Sequence, residues 1–232
     1  MTNPKLILRE WDSTFFSRSI YGLDWTHEVS EKDINLNVDD ALIVDKVVSD
    51  NYSRIDFLLS ENFKLVESEI NFVRFVEDKE LSSNSERIMH AEIKDLTEVT
   101  KIVENAYNFS RFRAPWFNEE EQNKLYSTWL SKAILGEFDD FCLIYRTDEG
   151  SIAGFVTLKI DADNATIGLI AVSRQFSRQG IGHSLLAAVN NYCIENNLSY
   201  INVATQISNV AAINFYLDSG YKVSSTFYWF YK

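Results

Sequence analysis

Gly180 and Gly182, with Ile181 between them, stand where an apolar run ending at Val172 gives way to a helical pattern. Glycines at such a point let backbone approach a ligand closely. The unpaired N–H groups of a first helical turn, together with the helix dipole, make an anion site. Arg174 and Arg178 flank the turn and His183 follows it, and guanidinium groups pair well with phosphate oxygens. The turn lacks the Lys-Ser/Thr of a P-loop and its glycines do not fit the dinucleotide fingerprint, so a plain strand-to-helix turn is the competing reading. A second cluster is the octapeptide SRFRAPWF at 110–117. Arg111 and Arg113 can grip phosphate oxygens there, and Phe112 or Trp116 can stack on a ring; a basic loop with aromatic anchors is the alternative. Tyr216 can act as an acid and Asn209 as a helix N-cap, although an aromatic at helical spacing reads first as core. The stretch 167–172 carries no carboxylate, which leaves the general base without an obvious candidate. His90 and His183 are the histidines weighed for it.

The elements that must position these groups follow from hydrophobic period and punctuation. Residues 77–86 (EDKELSSNSE) are charged and serine-rich and read as a linker between two regions, a small α/β domain at 1–80 and a larger one at 86–232. In the first region, 41–49 predicts a strand, 51–61 a helix and 64–76 a strand, while 1–40 is rich in aromatics without a clean period. In the second, 87–93 predicts a strand and Asp95 with Glu98 a capping-box start to a helix whose inner face runs to Ala106 and Tyr107. Asn118 and Glu121 cap a second helix. Strands follow at 140–146, 152–160 and 166–172, then a helix at 180–196, a strand at 200–205, a helix at 209–219 and a strand at 222–231. Gly168 inside an apolar strand marks a bulge or a close approach. An offset of 158 aligns 51–69 with 209–227 at five identical positions of nineteen: Asn51/Asn209, Ile55/Ile213, Phe57/Phe215, Leu59/Leu217 and Lys64/Lys222. Leu58 stands where the second copy has Tyr216.

Composition excludes whole classes. With 22 Lys+Arg against 34 Asp+Glu, the net charge of −12 disfavours general binding to nucleic acid or to anionic membrane surfaces. A hydrophobic content of 46% supports a sizeable core, and no apolar run approaches the ~20 residues that span a bilayer. Cys142 and Cys193 lie inside apolar patterns without metal spacing, so a reduced, cytoplasmic, metal-free protein is expected.

The run Ile167-Gly168-Leu169-Ile170-Ala171-Val172, then Ser177-Arg178-Gln179-Gly180-Ile181-Gly182 and an amphipathic helix, resembles the acetyl-CoA-binding motif of the GCN5-related N-acetyltransferase (GNAT) superfamily. The resemblance spans 86–232, with Ser177 in the place usually held by Arg or Gln. Residues 110–117, Ile167-Gly168-Leu169, Val203-Ala204-Thr205-Gln206, Asn209 and Tyr228-Trp229 are similar to those of the TDP-fucosamine acetyltransferases, which acetylate a dTDP-4-amino-4,6-dideoxyhexose for bacterial surface polysaccharide. The resemblance implies an α/β GNAT fold, a mixed central sheet flanked by helices behind a small N-terminal domain that reads as a degenerate half-repeat. It implies acetyl-CoA held by Leu169 to Val172, Ser177 to His183 and Asn209, with the amides of 169–172 stabilising an oxyanion. Tyr216 becomes the general acid, and Arg111, Phe112, Arg113, Trp116, Thr205 and Gln206 contact a nucleotide-linked amino sugar. A homodimer is one assembly it allows. Another amine as substrate, or a non-catalytic acyl-CoA-binding module, are the competing functions.

Overall fold

The computed structural model describes residues 3–29, 36, 38–76, 85–104 and 106–232; most of the expected linker, 77–84, lies outside them. The chain divides into two units: Met1–Glu69 with Gln206–Ser208 and Ser225–Lys232, and Ile70–Thr205 with Asn209–Ser224.

The first unit contains β1 (Asn3–Leu8), α1 (Glu10–Phe16), β2 (Ser19–Val29), β3 (Ala41–Val48), α2 (Tyr52–Ser60), the start of β4 (Lys64–Phe75) and the end of β10 (Lys222–Tyr231). β1 pairs antiparallel with β2, β2 parallel with β3, and β3 antiparallel with β10 from Val48↔Phe227 to Val44↔Tyr231. Ile43, Val47, Leu58, Phe63 and Phe230 form its core. The buried carboxylate of Asp45 accepts from both sides of the Arg54 guanidinium and from Trp25 Nε1. Burial raises its pKa, and the Arg54 bonds and charge only partly offset this. Residues 1–40 show no clean period because α1 is only seven residues long and the apolar Ile7, Leu8 and Trp11 are exposed.

The second unit holds β5 (Ile88–His90), α3 (Leu96–Val103), α4 (Glu119–Ile134), β6 (Phe141–Arg146), β7 (Ile152–Asp161), β8 (Asn164–Val172), α5 (Ile181–Glu195), β9 (Tyr200–Gln206, less its last residue) and α6 (Val210–Asp218). Strand order is β9-β8-β7-β6-β5. All pairs are antiparallel except β8 with β9, so the sheet is mixed, as the α/β reading requires. One apolar cluster, centred on Ile167, Leu185, Val189, Ile201 and Val203, packs with α5 and α6. The other, with Val99, Leu130, Ile144, Phe155 and Leu169, packs with α3 and α4.

Three local expectations are corrected. The strand expected at 87–93 shrinks to three residues because 3-10 turns at Ser85–Arg87 and Ile93–Asp95 close on it. The capping box belongs to Glu92 and Asp95, while the Glu98 carboxylate accepts the Ile152 N–H at 2.7 Å. α3 ends at Val103, so Tyr107 lies beyond the helix. The box of Asn118 and Glu121 forms as expected.

Candidate active site

β8 carries the backbone that matters most. It pairs with β7 along its length but with β9 only from Asn164↔Tyr200 to Ile167↔Val203, so the β9-side edge of residues 168–172 has no strand partner. The Ser173 N–H bonds Ala153 O at 2.8 Å. Antiparallel alternation then makes Phe155/Ala171 a bonded pair and leaves Gly154/Val172 and Val156/Ile170 non-bonded. The N–H and C=O groups of Ile170 and Val172 therefore face the open edge, whereas Ala171 faces β7. Leu169 N–H is engaged by Thr157 Oγ1 at 2.8 Å. Of the four amides named from sequence, two face the open edge and two are bonded within the sheet.

The turn after β8 runs through a short 3-10 segment at Arg174–Phe176 into Ser177, Arg178, Gln179 and Gly180, all four exposed. Arg178 (φ 61) and Gly180 (φ 77) both adopt left-handed backbone, which bends the chain so that the first turn of α5 opens outward. Ser184 N–H is the first to find an intrahelical carbonyl, that of Gly180, so the amides of Ile181, Gly182 and His183 precede the intrahelical ladder. Gly182 is needed for packing too: a Cβ there would come within 3.1 Å of the Phe215 ring. His183 is exposed, and its Nδ1 is 3.2 Å from Ser219 Oγ. His90 is on β5, next to the Phe141 ring.

Asn209 caps α6 through Ala212 N–H at 3.2 Å. Two turns on, Tyr216 is 3% exposed among Phe72, Phe215 and Tyr221, and burial pushes its phenol well above the ordinary value of 10.0. A second phenol escaped the sequence reading. Tyr107 stacks on Tyr126 at 4.4 Å, and its hydroxyl donates to the Ile170 carbonyl at 3.4 Å. Burial raises its pKa, the nearby Tyr126 and Tyr216 add to this, and the Ile170 bond partly opposes it. Tyr216 packs in the α5–α6 cluster and Tyr107 against the α3–α4 cluster, so the two phenols lie on opposite faces of the sheet, with Tyr107 reaching this edge.

The octapeptide forms the loop before α4. The Arg111 guanidinium lies 3.9 Å over the Phe112 ring, Phe112 meets Phe117 edge-on, and Arg113 Nη1 donates to Ala114 O. Ser110 Oγ joins Tyr126 Oη at 2.8 Å and accepts Phe112 N–H. That ties the loop to the tyrosine under Tyr107. Trp116 is half-buried. Thr205 ends the β9 segment of this unit, while Gln206 belongs to the first unit. Among the described residues, no group of three or more His, Cys, Asp or Glu is placed to hold a metal ion. Among the described residues, no helix is long and apolar enough to cross a membrane.

An unpaired strand edge beside an outward-opening helix start suits an extended acyl-pantetheine arm ending in phosphates, since strand addition and backbone amides supply both contacts. A model of the acetyltransferase (GNAT) family matches residues 103–221. A dTDP-fucosamine acetyltransferase of Escherichia coli O6:H1 is 34% identical over 188 residues, covering 81% of this chain and 80% of its own length. The chain therefore belongs to the GNAT family, within it to the dTDP-fucosamine acetyltransferase family, and is an acetyl-CoA-dependent N-acetyltransferase. Among solved structures, a GCN5-related N-acetyltransferase from Sphaerobacter thermophilus matches 83% of the chain with a TM-score of 0.60 at 17% identity, and the chain spans 59% of its length. A tandem GNAT protein from the clavulanic acid biosynthesis pathway matches 99% of the chain and 78% of its own, with a TM-score of 0.63 at 11% identity. At those identities the two structures speak for the fold.

Proposed function

We propose that the enzyme transfers the acetyl group of acetyl-CoA to the 4-amino group of a dTDP-4-amino-4,6-dideoxyhexose, in a ternary complex in the cytoplasm, as a step in making surface polysaccharide. The observation that carries this reading is the 34% identity over 81% of the chain to an enzyme named for that substrate. The domain assignment goes with it: acetyl transfer belongs to 86–232, and 1–80 is a smaller partner domain.

In this reading the pantetheine arm adds to the open edge of β8, and the CoA phosphates meet the amides of residues 180–183, with Ser177, Arg178 and Gln179 lining the turn. The neutral amine attacks the thioester carbonyl. As the C–N bond forms, charge moves onto the carbonyl oxygen, where the Ile170 or Val172 N–H donates to it; one such donor is worth roughly 3 to 4 kcal/mol in comparable sites. Collapse breaks the C–S bond. The departing sulfur takes a hydrogen bond and then the proton from Tyr216, while the proton released by the nitrogen passes to water. The raised pKa of Tyr216 keeps the phenol in its donating form at neutral pH and makes complete transfer to a thiolate less favourable, so hydrogen bonding comes first. Arg111 and Arg113 hold the sugar-nucleotide pyrophosphate, with Phe112 or Trp116 against the base or sugar, and Thr205 and Gln206 as further contacts.

The test is turnover of the dTDP-amino sugar against a peptide N-terminus, a polyamine and an aminoglycoside, with the acetylated position read by NMR. Acetylation at N4 of the sugar is expected. Equal or faster turnover of a simple amine would replace this substrate with that one.

A further inference from the structure

Asp139, in the turn between α4 and β6, is 4% exposed, yet the donors to its carboxylate are neutral: Trp129 Nε1 at 2.8 Å and Thr157 Oγ1 at 2.5 Å. A buried carboxyl group held by these neutral donors is a costly choice for packing, since Asn would present an acceptor to the same two groups. What the carboxyl group supports lies one bond further on. With its own hydrogen donated in a hydrogen bond to Asp139, Thr157 Oγ1 accepts the N–H of Leu169 at 2.8 Å, and the carboxyl group polarises the hydroxyl and strengthens that acceptance.

This contact is made at a bulge. Val156 faces Ile170 but Leu158 faces Ile167, so Gly168 and Leu169 together oppose Thr157. The bulge also reverses which way the strand presents its side chains. Ala165 and Ile167 pack with the α5–α6 cluster, Leu169 and Ala171 with the α3–α4 cluster, and Ile170 and Val172 with the first again. Without the extra residue the period of two would turn the Ile170 and Val172 amides toward β7 and away from the open edge. Gly168 completes the device, because a Cβ there would collide with Asp139 Oδ2 and lie 2.9 Å from both Asp139 Cγ and Thr157 Oγ1.

We propose that Asp139 is a positioning residue for acetyl transfer: through Thr157 it clasps the β8 bulge in the register that presents the Ile170 and Val172 amides to the acyl group. The inference rests on the reading that the thioester lies along this edge. It does not depend on which amine is acetylated, and the test uses whichever acceptor the wild-type enzyme turns over fastest. Thr157→Val keeps shape and loses the hydroxyl, and kcat should fall about 10²-fold, the scale seen when one oxyanion donor is lost. Thr157→Ser should restore kcat to within about threefold, and the CoA dissociation constant by calorimetry should rise in Thr157→Val far less than kcat falls, because the phosphate turn is untouched even where the pantetheine edge loosens. Should Thr157→Val fold poorly, Asp139→Asn carries the same test: kcat is expected to drop about tenfold while the melting temperature holds or rises. Near-wild-type kcat in either Thr157→Val or Asp139→Asn overturns the proposal, as does activity lost only in step with melting temperature. A wrong sugar assignment shows instead as lost substrate preference in wild type and variants alike, leaving the variant-to-wild-type ratio intact.

Discussion

The segments β3–α2–β4 and β9–α6–β10 have the same frame and different contents. Asn51 and Asn209 each cap a nine-residue helix by accepting the N–H three residues on, both at 3.2 Å. Each helix ends with matching bonds: Glu61 to Phe57 and Ser219 to Phe215, Asn62 to Leu59 and Gly220 to Leu217, Phe63 to Leu58 and Tyr221 to Tyr216. The left-handed residue after each helix is Asn62 (φ 64) or Gly220 (φ 81). The offset of 158 in the sequence thus recurs bond for bond. What differs is side-chain chemistry and the preceding connection. Leu58 fills an apolar core where Tyr216 brings a phenol. Asp45 and Arg54 form an ion pair where the second copy has Val203 and Ala212. Residues 30–40 join β2 to β3, whereas residues 173–199, including α5, join β8 to β9. In the proposed reading, what turns the common frame into an active site is a glycine turn, a helix start and one phenol.

The comparison can be broken most severely by making the copies alike. Tyr216→Leu, the Leu58 choice, should lower kcat by about 10²-fold or more with CoA affinity retained, measured by steady-state kinetics and calorimetry; an unchanged kcat would return Tyr216 to packing alone. Next is Arg111→Ala, expected to raise the sugar-nucleotide KM about tenfold while the acetyl-CoA KM moves less than about twofold, and equal effects would refute the pyrophosphate grip. The pH dependence is third. The folded-state pKa of Tyr216 is raised above its unfolded value of 10.0 by burial. Its contribution to stability is therefore complete below pH 10 and is lost as pH rises from there toward the folded value. Urea melts should weaken above pH 10 in the wild type and less so in Tyr216→Phe. Fourth, Asn51→Ala and Asn209→Ala should each cost about 1 kcal/mol in urea melts, and Asn209→Ala alone should alter the acetyl-CoA KM. The smallest effect belongs to Gly220→Asn, which copies Asn62 and should cost at most about 1 kcal/mol.

The second region was legible because its elements are long and periodic, whereas the glycines, the SRFRAPWF loop and Tyr216 stood out only through the family resemblance, since taken singly they read equally as a turn, a basic loop and core. Even Gly168 signalled a bulge. Asp139, Thr157 and Tyr107 were not legible, because their meaning is carried by contacts 18 and 63 residues apart in the chain and by a register that only two paired strands define. Tyr107 was masked further by an apolar period running past the true end of α3 at Val103. The first forty residues resisted for a different reason: a helix of seven residues is too short to show a stripe.

The most direct test of the account is a competition in one vessel, with acetyl-CoA limiting and the dTDP-4-amino sugar set against the same amino sugar without its nucleotide. The account predicts that N-acetylated dTDP-sugar dominates the product by about 10²-fold, the selectivity expected from a pyrophosphate clamp of bidentate arginines. Equal partition of the acetyl group between the two acceptors would contradict it.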